Sequence, residues 1–138
     1  MRQIDYIAVH CTASPQTWGV KELEREFYVN KKWKNPGYHY VVTADGKIHQ
    51  MLSVEKVSNG VKGYNHNSIN VAYVGGVDVA NNMKPIDNRT EAQKKSLLSL
   101  LKVLHQQYPK AKIQGHRDFP KVAKACPSFD ANKEYSNI

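Results

Sequence analysis

Six histidines and two cysteines are the side chains of this sequence best suited to hold a borderline-soft cation or to supply a nucleophile. Their places along the chain separate them. His105 falls inside an amphipathic helical pattern and His49 inside a hairpin pattern, both positions of ordinary boundary packing. His10 and His116 each close a short apolar run and enter a turn, and ligands of open α/β sheets gather beyond the C-terminal ends of strands. Cys126 follows His116 by ten residues, in the segment Lys124-Ala125-Cys126-Pro127-Ser128. Two imidazoles and a thiolate suit a tetrahedral zinc whose fourth position stays open, and an open position means catalysis. Blue copper uses the same donors with an axial methionine; neither Met nor His follows Cys126, so copper fits less well. The same residues also suit a Cys126 nucleophile paired with histidine, or a plain buried thiol, and no short-spaced motif such as H-E-x-x-H decides among them. Cys11 adjoins His10, but successive strand side chains point to opposite faces, so Cys11 is expected in the core when His10 faces a site.

The elements that must position these residues alternate in type. Ile4 to Thr12 reads as a buried strand, broken by Ala13-Ser14-Pro15. Val20, Leu23 and Phe27 fall on one helical face that stops before Asn35-Pro36-Gly37. Tyr38 to Thr43 and Lys47 to Met51 read as a hairpin about Ala44-Asp45-Gly46, and Ile69 to Gly75 as a further strand. Thr90 and Gln93 form a capping box ahead of a second helix with Leu97, Leu101, Leu104 and Tyr108 on one stripe. Ile113 to His116 is a short strand that delivers the second histidine. Interleaved strands and helices with one hairpin predict an α/β fold: a single domain, residues 1–138, with a mixed central β-sheet flanked by helices.

At 138 residues the chain is long enough to enclose a core without disulfide staples. Apolar residues at 41% and charged residues at 23% exclude a disordered or collagen-like chain. No run approaches the roughly 18 apolar residues of a membrane span, so no membrane insertion is expected. The first residues, Met1-Arg2-Gln3-Ile4-Asp5, lack the apolar stretch of a secretory signal, which predicts cytoplasmic synthesis. A formal charge of +8 favours anionic partners, nucleic acid or wall polymers among them. No base-stacking or helix-turn-helix pattern supports nucleic acid.

Several longer motifs occur in one order: Ile7-Ala8-Val9-His10-Cys11-Thr12-Ala13, Gly37-Tyr38-His39, Gly63-Tyr64-Asn65-His66-Asn67-Ser68-Ile69, Gly75-Gly76, Gly115-His116-Arg117-Asp118 and Lys124-Ala125-Cys126-Pro127-Ser128-Phe129-Asp130. From Ile4 to Asp130 the chain resembles the zinc N-acetylmuramoyl-L-alanine amidases, with the peptidoglycan recognition proteins as wider relatives. The resemblance implies zinc (Zn2+) on His10, His116 and Cys126, catalytic assistance from Tyr38 and Lys124, and substrate handling by His66 with Asn67. It implies an endolysin-like hydrolase that cuts the amide between N-acetylmuramic acid and L-alanine in bacterial peptidoglycan; a monomer is expected, and without an export signal the protein is expected to reach the wall after release or specialised export. Arg117 and Asp118 read either as groups that orient the ligand loop or as a surface ion pair. Some peptidoglycan recognition proteins hold muropeptides without cutting them, often with the metal cysteine replaced; here that cysteine is present.

Overall fold

The computed structural model describes residues 2–138. Its first strand, β1 (Tyr6–Cys11), forms where β-branched and small apolar residues run together, and it lies inside the sheet, with a strand on either side, rather than at an edge. The remaining strands are β2 (Tyr40–Val42), β3 (Ile48–Gln50), β4 (Ser68–Tyr73), β5 (Val77–Asp78), β6 (Lys84–Pro85) and β7 (Lys112–Gly115). Five of them make one sheet in the order β3-β2-β4-β1-β7, while β5 and β6 pair as a separate antiparallel ribbon. Pairings β2–β4, β4–β1 and β1–β7 are parallel and β2–β3 is antiparallel, so the sheet is mixed as expected. The parallel register places the C-terminal ends of β1, β4 and β7 on one edge, which is where both histidines emerge.

Alternation along β1 and β4 divides the molecule into two layers. Ile7, Val9 and Cys11, with Ile69, Val71 and Tyr73, face the helix α2 (Glu91–Gln107) and pack with Leu97, Leu101 and Leu104. That helix starts as its sequence requires: Gln93 N–H donates to Thr90 Oγ1 and Thr90 N–H returns a bond to Gln93 Oε1, both at 3.0 Å. The buried Gln93 amide then donates to Val42 O and Val74 O, pinning the helix to the strand ends. On the opposite face lie Ala8, His10, Asn70 and Ala72, covered by the N-terminal helix and by loops.

Two elements differ from the sequence reading. The first helix is α-helical only over α1 (Val20–Glu24) and is wound wider, in π form, over Arg25–Asn30. There Phe27 packs between Trp33, stacked at 5.6 Å, and Tyr38, edge-on at 5.5 Å, and this tertiary packing accompanies the loss of the α register. The strand expected from Tyr38 begins only at Tyr40, so Tyr38 lies in a loop ahead of the sheet rather than in it.

The short helix α3 (Ala131–Glu134) is held to the start of α2 by Arg89, whose side chain is 3% exposed. Its guanidinium bonds Asp87 and Glu134 and lies 3.5 Å over the Phe129 ring, so it anchors the segment that follows Cys126. Hydrogen bonding by Arg89 holds both carboxyls below their ordinary values of 3.8 and 4.5. The stabilisation is therefore complete above those values and is lost as pH falls below them toward the lowered native ones. Thermal midpoints measured from pH 5 to pH 3 should fall, and Arg89→Met should make that fall shallower without removing it, since the buried His10, His39 and His116 also take up protons on unfolding. An unchanged acid slope in the variant would exclude this origin.

Candidate metal centre and groove

His10 is the fifth residue of β1 and 2% exposed; His116 opens the 3-10 turn His116–Asp118 directly after β7; Cys126 lies in the loop beyond. The loop is brought in by specific bonds. Arg117 N–H donates to Cys126 O at 2.9 Å, Tyr73 Oη donates to Pro127 O at 2.6 Å, and Ser128 Oγ donates to Gly76 O at 2.8 Å. Gly115 permits the approach, because a Cβ there would lie 2.7 Å from Pro127 Cδ. Asp118 accepts a bond from Gly115 N–H at 2.8 Å and closes the turn that carries His116, so for Asp118 the orienting expectation fits the contacts, while Arg117 holds the ligand loop through its backbone N–H.

The ligand atoms of His10, His116 and Cys126 all lie within 4.8 Å of one another, and Cys126 Sγ is 3.9 Å from His10 Nδ1. A tetrahedral zinc set spaces its N and S donors roughly 3.3–3.6 Å apart, so nitrogen, nitrogen and sulfur are grouped at the right scale and with the right chemistry. Burial foremost, then His116 and Lys124, lowers His10 to about 3; burial and then Lys124 lower His116 to about 4. Both rings are therefore neutral at ordinary pH and have a lone pair to donate.

Cys11 points into the core, as alternation requires, and its backbone N–H donates to Cys126 Sγ at 3.1 Å. The two sulfurs share one proton economy: their mutual hydrogen bond lowers Cys11 to about 7 and, with burial, raises Cys126. A cation held beside the histidines would reverse that preference, because Cys126 is the cysteine whose sulfur faces them.

Around the triad is a cavity of ≈ 250 Å³ that also contains Tyr38 and Lys124. The Tyr38 ring lies 5.3 Å from that of His10 and its hydroxyl donates to Cys11 O at 3.3 Å; burial pushes the phenol well above its ordinary value. Lys124 is exposed and lies at the junction of this cavity with a groove of ≈ 820 Å³, whose wall includes Trp33, Lys62, Tyr64, Asn65 and Lys121. His66 and Asn67 line neither space. They occupy the turn before β4, at the far end of the strand from the metal centre, where Asn67 Nδ2 donates to Asp5 Oδ2 at 3.0 Å and His66 is exposed. From the same motif it is Tyr64 and Asn65 that reach the groove. The residues that sequence reasoning passed over are Asn70, which contacts His10, and Ser58 and His39 behind it; a polar residue inside an apolar strand pattern was the available signal.

Comparison with known proteins agrees with this geometry. Residues 1–129 match the family described as N-acetylmuramoyl-L-alanine amidase. The endolysin of Klebsiella phage KP32 is 38% identical over 134 residues, covering 96% of this chain and 85% of that protein. The endolysin of Escherichia phage T7 is 39% identical over 131 residues, covering 94% and 83%. Among solved structures, the Ph2119 endolysin from the Thermus scotoductus MAT2119 bacteriophage Ph2119 superposes with a TM-score of 0.76 at 28% identity, over 92% of this chain and 79% of its own. With a His-His-Cys cluster at the strand ends and relatives matched along nearly all of its length, the chain belongs to the N-acetylmuramoyl-L-alanine amidase family and is a peptidoglycan-cleaving enzyme of cell-wall lysis.

Proposed function

We propose that residues 1–138 act as one zinc amidase unit in which His10, His116 and Cys126 hold the metal, Lys124 and Tyr38 assist the reaction, and the adjoining groove receives the peptide stem of a muropeptide. The observation that carries this reading is the convergence of three donors, from three separate segments, at the inner end of that groove. Zinc, when bound, supplies the Lewis acidity that makes water nucleophilic near neutral pH and polarises an amide carbonyl. What the chain adds is placement and charge. Attack on the lactyl carbonyl carbon develops negative charge on its oxygen, and the Lys124 ammonium at the cavity mouth is placed to stabilise it. The oxygen of the attacking water becomes part of the new carboxylate, the carbon–nitrogen bond breaks, and a proton from that water passes to the departing L-alanine nitrogen.

The Tyr38 hydroxyl stands over the same cavity as a neutral hydrogen-bond donor. Tyr38→Phe should retain zinc and lower turnover by up to about tenfold, the worth of one neutral hydrogen bond of about 0.5–1.5 kcal/mol. Loss of zinc from that variant would instead make Tyr38 part of the metal support. Lys62 and Lys121 give the groove wall a positive character suited to the carboxylates of a peptide stem. The site is complete within one chain, which supports action as a monomer. No described helix is long and apolar enough to cross a membrane, and we read the enzyme as reaching the wall after release.

The deciding experiment digests purified peptidoglycan and measures newly exposed L-alanine amino termini, with metal content determined in parallel. Stoichiometric zinc, loss of product on chelation and recovery on zinc addition are expected. Wall binding without new amino termini would leave a binding module; activity that survives chelation but not thiol alkylation would leave a Cys126 nucleophile.

A further inference from the structure

The sheet face that carries His10 also buries three polar side chains that the reaction above does not use: His39, Ser58 and Asn70, each 0% exposed. Asn70 sits in the middle of β4 opposite Ala8 of β1, where a central strand ordinarily carries a β-branched or aromatic residue. Its amide has room because residue 60 is glycine: a Cβ there would lie 2.3 Å from Asn70 Cγ.

The proton positions in this cluster follow from its fixed ends. His39 Nε2 is 2.7 Å from Lys56 O, a carbonyl that only accepts, so Nε2 carries the proton. His39 Nδ1 is then a bare lone pair, and it accepts from the Asn70 backbone N–H at 3.0 Å and from the Ser58 hydroxyl at 3.1 Å. Burial lowers His39 to about 4, and the nearby Arg2 guanidinium adds to this, so the ring stays neutral. Ser58 has one proton, and it is committed to His39; its oxygen must therefore accept, and Asn70 Nδ2 donates to it at 2.8 Å. The opposite amide orientation would set the lone pairs of Ser58 and His39 against each other. Asn70 Oδ1 consequently faces His10 Nε2 at 2.8 Å, and His10 must donate.

We propose that Asn70, oriented by Ser58 and His39, is a positioning residue that locks His10 in its Nε2–H tautomer and so aims the Nδ1 lone pair into the metal centre. The purpose of the lock rests on the zinc reading, whereas the lock itself is a property of the metal-free chain. Without an acceptor at Nε2 only the ring's modest intrinsic preference for this tautomer remains, and part of the population would present an N–H to the metal.

The test uses uniformly 15N-labelled, metal-free protein and two-bond 1H–15N correlations of the histidine rings, with zinc affinity measured by chelator competition. The native chain should show His10 as the single Nε2–H form. Asn70→Ala should give both tautomers and weaken zinc binding about 10–100-fold. Should Asn70→Ala fail to fold, Gly60→Ala displaces the same amide from an ordinary backbone conformation and should move both readouts alike. Ser58→Ala should give a partial mixture. A native His10 protonated at Nδ1, or an unmoved tautomer and affinity in folded Asn70→Ala or Gly60→Ala protein, would overturn the proposal. A locked His10 in a chain that binds no zinc would support the lock and overturn the metal reading alone.

Discussion

Cys126→Ala should strip zinc from the protein and abolish wall hydrolysis together, the largest effect expected of any single substitution here. The sulfur is the one anionic donor of the triad, and its loss leaves two neutral imidazoles facing a dication. Partners that only orient a ligand cost about 10–100-fold in affinity when removed, so losing the donor itself should exceed 100-fold. Metal content after dialysis and release of L-alanine amino termini are the two measurements, and they should fall together. Cys11→Ala is the control. Its sulfur lies in the core beneath the site, so that variant should keep zinc and activity while losing some stability. Cys126 is half-buried and accepts a bond from Cys11 N–H, so near-UV circular dichroism should establish that the Cys126→Ala variant is folded before its inactivity is interpreted. Full activity in folded, zinc-free Cys126→Ala protein would sink the mechanism.

The difference between what could and could not be read from the chain is physical. His10 and His116 were legible because strand alternation and strand ends are local properties, and the capping box of Thr90 and Gln93 marked its helix for the same reason. That the two histidines and Cys126 share one site is not local; it depends on β7 pairing with β1 and on the loop folding back through Tyr73, Gly76 and Gly115. The misplacement of Tyr38 has a comparable cause. Its β-prone neighbours suggested a strand, but packing against Phe27 and His10 holds it in the loop. His66 and Asn67 carry the motif of a groove, yet the turn directs Asn67 to Asp5 and leaves the groove to Tyr64 and Asn65. Asn70 was the least legible, since a polar residue in a strand acquires a role only when the parallel pairing of β4 with β1 sets it beside His10.

Lys124→Ala should retain zinc and lower kcat about 10²–10³-fold, the cost of about 2.7–4 kcal/mol found when an oxyanion partner is removed. Its position supports a direct role, since its charge is felt at His10 and His116 and it lines both the catalytic cavity and the groove. A competing use of the same side chain is to attract the anionic wall, and the two uses separate in the kinetics. Attraction acts on encounter, so its loss would raise KM and fade as salt screens the interaction. Stabilisation of charge that develops during the reaction lowers kcat at saturating substrate and persists at high salt. Lys121, on the groove wall but outside the catalytic cavity, supplies the comparison: Lys121→Ala should alter KM and its salt dependence with kcat unchanged. Lys124→Arg should recover only part of the rate, because a planar guanidinium does not place its charge where a point-like ammonium does. A Lys124→Ala enzyme with native kcat and only a raised KM would reduce Lys124 to one more cation of the groove and leave oxyanion stabilisation to other groups.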